Sequence, residues 1–393
     1  MTLTYDIYYL LTTQINSIED LENYCNSTKI FTEICRKNKS NIAKHLLYIY
    51  QVDYKDPSNF IYKYNNVSIQ DYRDKDKDNK WKYVSLFLLY FQNYKSKNIE
   101  ACLKKNITSF PIYPNMTHFY GDNNDLTSFP IQPKMTHFYG DDNDFTSFPI
   151  QPEMTHFNGS GNQLSSFPIQ PNMIHFYGND NQLSSFLIQP RMQDFRGNNN
   201  ILTSFPIQPR MKYFHGNDNQ LTSFPIQPLM ITFSGHNNVL TSFPIQPKMS
   251  CFYGRNNVLT SFQIQPEMIH FDGNYNRLTS FTIQPEMKIF DGNRNRLTSF
   301  PIQPKMKIFT GNDNQLTSFP IQPEMTHFFG DRNQLTSFPI QPRMQYFYEN
   351  HNILSSFPIQ SNMTTFRGDN NPIIRSRKIY HARINWKTCY FFS

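Results

Sequence analysis

Charged residues make up only 17% of this 393-residue chain, tryptophan occurs twice and cysteine five times. The cysteines (Cys25, Cys35, Cys102, Cys251 and Cys389) are odd in number and widely scattered. That excludes a disulfide framework and matches no zinc spacing. Cys25 and Cys35 read instead as free thiols filling an apolar core. No apolar run approaches the ~18 residues that a membrane-spanning helix needs. A phosphate-cradling loop and a nucleophile elbow are also absent, so nothing points to a nucleotide site or a hydrolase. Hydrophobic residues are few at 38%, yet aromatics reach 16%. A disordered chain would be poor in aromatics, so that class is excluded as well. The start, MTLTYDIYYLLTT, has no basic n-region, and Asp6 interrupts its apolar stretch. It is therefore not read as a signal peptide, and the expected location is the cytoplasm.

The net charge of +7 is unevenly spread. Residues 1–106 hold 16 basic and 12 acidic side chains, residues 107–371 hold 16 and 18, and residues 372–393 hold 5 and none. The large middle is thus close to neutral, at −2. Binding phosphates takes concentrated Lys and Arg, so nucleic acid is not the expected partner.

What is abundant has one source. Phenylalanine recurs at Phe110, Phe129, Phe148 and onward to Phe357, always 19 residues apart, in fourteen copies without insertion or deletion. The unit reads M-x-x-F-x-G-x-x-N-x-L-T-S-F-P-I-Q-P-x. Met runs from Met116 to Met363, a second Phe from Phe119 to Phe366, and Ile from Ile112 to Ile359 without exception. A fixed period of this kind describes a solenoid, in which matching residues stack into ladders on successive coils. One inserted residue would break every ladder, which accounts for the strict spacing. The inward set is expected to be Met, both Phe, Leu and Ile. The x-F-x-G segment alternates as a short strand does. Two prolines three apart forbid helix in F-P-I-Q-P, so that segment should run extended.

The unit resembles the leucine-rich repeat, L-x-x-L-x-L-x-x-N-x-L-x-x-L-P. Met, Phe, Leu and Phe stand at four leucine sites, and the phrase NQLTSFPIQP at 314–323 is similar to the short repeats of bacterial secreted effectors. The resemblance implies a mainly β, right-handed solenoid of 14 coils with a parallel sheet on its concave face. It also implies a structural asparagine ladder: Asn124, Asn143, Asn162, Asn181, Asn200, Asn219, Asn238, Asn257, Asn276, Asn295, Asn314, Asn333 and Asn352. The third leucine site is glycine in thirteen copies and Glu349 in the other. Glycine there should leave room for the inward Phe rings, since interior volume is conserved.

In such a repeat the recognition surface is the outward strand positions. Before the strand Phe stand His118, His137, His156, His175, Tyr213, His270, His327 and Tyr346. After it stand Tyr120, Tyr139, Tyr177, His215, Tyr253, Phe329 and Tyr348. These vary from copy to copy while the ladders hold, and aromatic anchors carry most of the energy of protein interfaces. They are the expected protein-binding residues. Successive histidines would sit ~4.8 Å apart, but as parallel donors rather than the convergent set zinc requires. GDNND at 121–125 and GDDND at 140–144 read as Asp/Asn turns rather than calcium loops. No cofactor or metal is expected, and no enzymatic activity.

The ends do not repeat. Residues 1–50 are expected to be helical, with Ser17-Ile18-Glu19-Asp20 as a capping box. They resemble an F-box through Asp6, Ile7, Leu10, Leu11, Ile18, Asp20, Leu21, Cys25, Phe31, Ile34 and Cys35, although the motif's opening Leu-Pro is Leu3-Thr4 here. The resemblance implies docking of a Skp1-like adaptor through Ile7, Leu10, Leu11, Ile18, Leu21 and Phe31. Residues 51–105 read as a helical linker and cap, 106–371 as the solenoid, and 372–393 as a basic, aromatic cap. The arrangement resembles F-box and repeat proteins of large DNA viruses of amoebae and of their hosts. The sequence thus points to a monomeric adaptor that binds a protein and recruits a cullin-type ubiquitin ligase. A scaffold that recruits nothing is the alternative.

Overall fold

The computed structural model describes residues 98–100, 110, 112–358 and 362–372. The F-box-like segment, most of the expected 51–105 cap and the basic tail from 373 onward lie outside the described residues. The chain divides into two compact units, Met1–Gln182 and Leu183–Ser393.

The first unit carries β1 (Asn98–Glu100), β2 (His118–Tyr120), β3 (His137–Tyr139), β4 (His156–Asn158) and β5 (His175–Tyr177). The second carries β6 (Asp194–Arg196), β7 (Tyr213–His215), β8 (Thr232–Ser234), β9 (Cys251–Tyr253), β10 (His270–Asp272), β11 (Ile289–Asp291), β12 (Ile308–Thr310), β13 (His327–Phe329), β14 (Tyr346–Tyr348) and β15 (Thr365–Arg367). Within each unit every strand pairs in parallel with the next, and Phe lies opposite Phe, as Phe119 does with Phe138 and Phe214 with Phe233. β1 falls inside the segment read as a helical cap and pairs with β2. Sheet pairing therefore begins one strand ahead of the repeat.

The core is a set of ladders. Met211, Phe214 and Leu221 are fully buried, as are their counterparts in neighbouring coils, and Phe145 takes the leucine place in its coil. Strand phenylalanines stack on one another, with Phe214 and Phe233 at 5.4 Å and 9°. The second Phe row meets them edge to face, Phe205 lying 4.8 Å from Phe214 at 68°. Both are favourable aromatic geometries.

The glycine expectation holds. A Cβ on Gly216 would lie 2.4 and 2.7 Å from ring atoms of Phe214, two residues earlier. The ring folds over the glycine, so this position answers to packing and not to backbone freedom. Gly216→Val should therefore overpack the core and cost about 1–3 kcal/mol. An unfolding midpoint equal to that of the parent protein would refute this.

One inward assignment is reversed. The isoleucines of Pro-Ile-Gln are turned outward, with Ile207 52% and Ile245 44% exposed, whereas Gln208 and Gln246 are fully buried. Hydrogen bonding explains the exchange. Gln246 Oε1 accepts from the Gln227 backbone N–H at 2.7 Å, and its Nε2 donates to the Pro225 carbonyl at 3.0 Å. The proline-rich stretch forms neither helix nor sheet, so its buried backbone groups need side-chain partners. The buried glutamines thus form an amide ladder along this side of the coils.

Asparagine builds a second ladder, as the resemblance implied. Asn238 Nδ2 donates to the Gly216 and His236 carbonyls, at 2.9 and 3.1 Å, and its Oδ1 accepts from Leu221 N–H at 2.9 Å. A further ladder runs beside it, in which Asn217 Oδ1 accepts from His236 N–H at 2.8 Å. The residue before each ladder asparagine is left-handed, for example Asp142 with φ 54° and Asn199 with φ 53°. Among residues with a side chain, Asp and Asn tolerate that region best, which fits GDNND and GDDND as turns. The Gln and Asn238-type ladders reach back to the coil before, and the Asn217 ladder reaches forward to the coil after.

Candidate functional site

The outward face of the strands is where composition varies, and the structure gathers the expected residues into three groups rather than one. In the first unit, His118, His137, His156 and His175 form a column with ring centroids 4.4, 4.1 and 4.6 Å apart and planes within 23° of parallel. A threonine precedes each of the first three histidines and lies against its Nδ1, whereas Ile174 precedes His175. Thr136 Oγ1 donates to the Thr117 carbonyl at 3.1 Å and lies 2.9 Å from His137 Nδ1. Its only hydrogen is already committed, so Oγ1 accepts from an Nδ1–H, and the lone pair sits on Nε2. Thr155 and His156 repeat the arrangement. Burial lowers the His137 pKa, with the neighbouring imidazoles adding to the effect, and the same causes bring His156 down to about 4. These two rings are neutral at pH 7.

A tyrosine column runs alongside. Tyr120 and Tyr139 stack at 5.0 Å and 1°. Burial raises the Tyr139 pKa, and Tyr120 raises it further. Asn158 takes the next place in the column and donates to Asp141 Oδ2 at 2.9 Å. Tyr177 stands at the end, 6.2 Å from His175.

The second unit holds the other two groups. Around β9 and β10, the Tyr253 hydroxyl lies 3.4 Å from His270 Nδ1, and His270 Nε2 lies 3.2 Å from Asp291 Oδ2. Arg255 pairs with the buried Asp272 at 2.6 Å beside them. On β13 and β14, His327 stacks on Tyr346 at 4.5 Å and Phe329 on Tyr348 at 5.0 Å. Arg367 covers Tyr348, its guanidinium carbon 5.4 Å from the ring centre. Tyr213 and His215 stand apart on β7, where burial and then the charge of Arg196 lower the His215 pKa.

Sequence reading missed the threonines and the Arg255–Asp272 pair. The recurring Met-Thr-His phrase at 116–118, 135–137 and 154–156 was the available signal for the threonines. The adaptor residues Ile7, Leu10, Leu11, Ile18, Leu21 and Phe31 lie outside the described residues. Among the described residues, no three His, Cys, Asp or Glu side chains are grouped so as to hold a metal ion. No helix there is long and apolar enough to cross a membrane.

Two solved structures share this coil geometry. YopM from Yersinia enterocolitica matches with a TM-score of 0.55 and 16% identity, over 77% of this chain and 85% of that one. YopM from Yersinia pestis, a leucine-rich effector protein, matches with a TM-score of 0.51 and 17% identity, over 76% of this chain and 97% of that one. The fold is a leucine-rich-repeat solenoid. At such identities the likeness is one of fold alone. No protein-family model matches the sequence, and no curated protein matches it. Within the leucine-rich-repeat frame, the inward ladders are the scaffold and the three outward groups are what distinguishes this chain.

Proposed function

We propose that this protein is a non-enzymatic scaffold of the cytoplasm that binds a protein ligand on the outward face of its leucine-rich-repeat sheet. One observation carries the reading. Inward positions are uniform from coil to coil, while the outward positions differ and hold stacked aromatic side chains such as His327–Tyr346 and Phe329–Tyr348. Flat aromatic groups on a rigid sheet lose little entropy on binding and suit interface anchors. The test is affinity capture with the full chain and with a Tyr346→Ala/Tyr348→Ala variant. Retention of a specific partner should fall at least tenfold in the variant, with the unfolding midpoint unchanged. Equal retention would sink the reading for this group.

The F-box-like residues extend the proposal. Residues 1–50 would dock a Skp1-like adaptor and make the scaffold a substrate receptor of a cullin-type ubiquitin ligase. Capture of such an adaptor by the full chain, and not by a chain lacking residues 1–50, supports that step. Its absence leaves a scaffold that recruits nothing.

A further inference from the structure

We propose that the sheet face of the first unit docks a Lys/Arg-rich segment of a partner protein, an inference that rests on the scaffold reading and names the chemistry of its ligand. Charge is the first ground. Residues 110–182 contain seven carboxylates and one basic side chain, Lys134. Lys134 Nζ is tied to Asn115 Oδ1 at 3.0 Å, on the turn that follows Pro-Ile-Gln. The described residues of the second unit contain 15 Lys and Arg against 11 Asp and Glu. The repeat region is therefore near neutral only as an average, and its first coils are strongly acidic.

Geometry is the second ground. Three rows lie side by side on this face. The first is the imidazole column, in which the threonine contacts of His137 and His156 occupy Nδ1 and leave the lone pair on Nε2. The second is the Tyr120–Tyr139 stack. The third is the carboxylate pair Asp122 and Asp141, which the Asn158-to-Asp141 hydrogen bond sets against the tyrosine column. All three rows suit a basic chain. Neutral Nε2 atoms accept hydrogen bonds from ammonium and guanidinium groups. Carboxylates pair with those groups, and phenol rings cover the methylene stems that Lys and Arg bury. Burial holds the Asp141 pKa up, the hydrogen bonds from Ser160 N–H and Asn158 oppose the rise, and the nearby Asp122 and Asp142 add to it. A bound cation would relieve that crowding. An acidic or nucleic-acid ligand meets no basic side chain on these rows.

The probe is a fluorescent peptide of eight alternating arginines and glycines, with a glutamate–glycine peptide as its counterpart, titrated into the full chain and followed by anisotropy. The full chain is +7 overall, so non-specific attraction works against the basic peptide. The basic peptide should bind in 50 mM salt, weaken at least tenfold by 500 mM, and lose at least tenfold in Asp122→Asn/Asp141→Asn. Asparagine preserves the fold at these positions. Asn217 and Asn312 already occupy them in other coils and accept the next coil's N–H at 2.8 and 2.7 Å. Should the double variant unfold early, Asp122→Asn alone carries the test, because Asp122 is exposed. Asp331→Asn, in the second unit, should leave the affinity unchanged.

Absence of binding, or binding that the Asp→Asn variants do not alter, overturns the proposal. The two readings fail separately. If a captured partner is lost with His118→Ala/Tyr120→Ala while the arginine peptide does not bind, the scaffold reading stands and the basic-segment inference falls. If the peptide binds through Asp122 and Asp141 but no protein is retained, the reverse holds.

Discussion

Replacing Gln246 by leucine is expected to destabilise the second unit by roughly 2–6 kcal/mol, although the change adds apolar character to a fully buried position. Two backbone groups lose their only partner at that side chain: the Gln227 N–H, which it accepts from at 2.7 Å, and the Pro225 carbonyl, to which it donates at 3.0 Å. Each buried group left without a partner costs about 1–3 kcal/mol, and the transfer gain of a leucine does not offset two of them. The adjacent Ile245→Ala should cost under about 1 kcal/mol, because Ile245 is already 44% exposed. Hydropathy alone ranks the two substitutions the other way round. Thermal or urea unfolding of both variants decides the order. A Gln246→Leu protein as stable as Ile245→Ala would show that the amide ladder contributes nothing.

A second large effect is expected at Glu349, which stands where thirteen other coils have glycine. The residue is fully buried. Its Oε2 accepts from Asn371 Nδ2 at 2.9 Å, while Oε1 has no hydrogen-bond partner. Burial pushes its pKa from 4.5 up to about 9, the nearby Asp331 adds to the rise, and the Asn371 hydrogen bond opposes it. The folded state therefore keeps a proton that the unfolded chain gives up above pH 4.5. Where the folded state holds the extra proton, stability falls as pH rises, by up to about 1.4 kcal/mol per unit from this group. The decline starts near 4.5 and levels off once the folded group also ionises, near 9. Glu349→Gln keeps the shape and abolishes the titration. Its advantage over the parent protein should be absent at pH 4 and reach a few kcal/mol, to order of magnitude, by pH 8. Unfolding curves of the two proteins that run parallel across this range would show that the carboxyl is not buried as described.

The features legible in the sequence are those that repeat because stacking demands it. Met211, Phe214 and Leu221 could be placed inward from period and hydropathy, and Asn238 from its resemblance to a known repeat. Gly216 could be read as space for a ring because volume is conserved in a packed interior. Ile245 and Gln246 could not be ordered in that way. Prolines strip the segment of donors, so satisfying the remaining backbone groups outweighs burying one aliphatic side chain, and the amide turns inward. The outward histidines and tyrosines followed from strand alternation. Their stacking followed from a register that puts like residues opposite one another. The acidity of the first coils was hidden by summing charge over 107–371. The tautomer of the histidine column needed the Thr136 hydroxyl geometry, to which composition is blind.

The ladders have one further consequence, for the gene. The ladder Asn and Gln side chains of each coil close the coil before it, as Asn238 does for Leu221 and Gln246 for Gln227. Any coil can therefore serve as the closing neighbour of any other. An unequal crossover that duplicates or removes one whole unit in frame leaves every junction chemically intact, whereas a slip of a single codon disrupts the junctions of the coil that carries it. Length is then the property of this protein that mutation changes most easily, and each added unit brings two new outward positions already held in register with the rest.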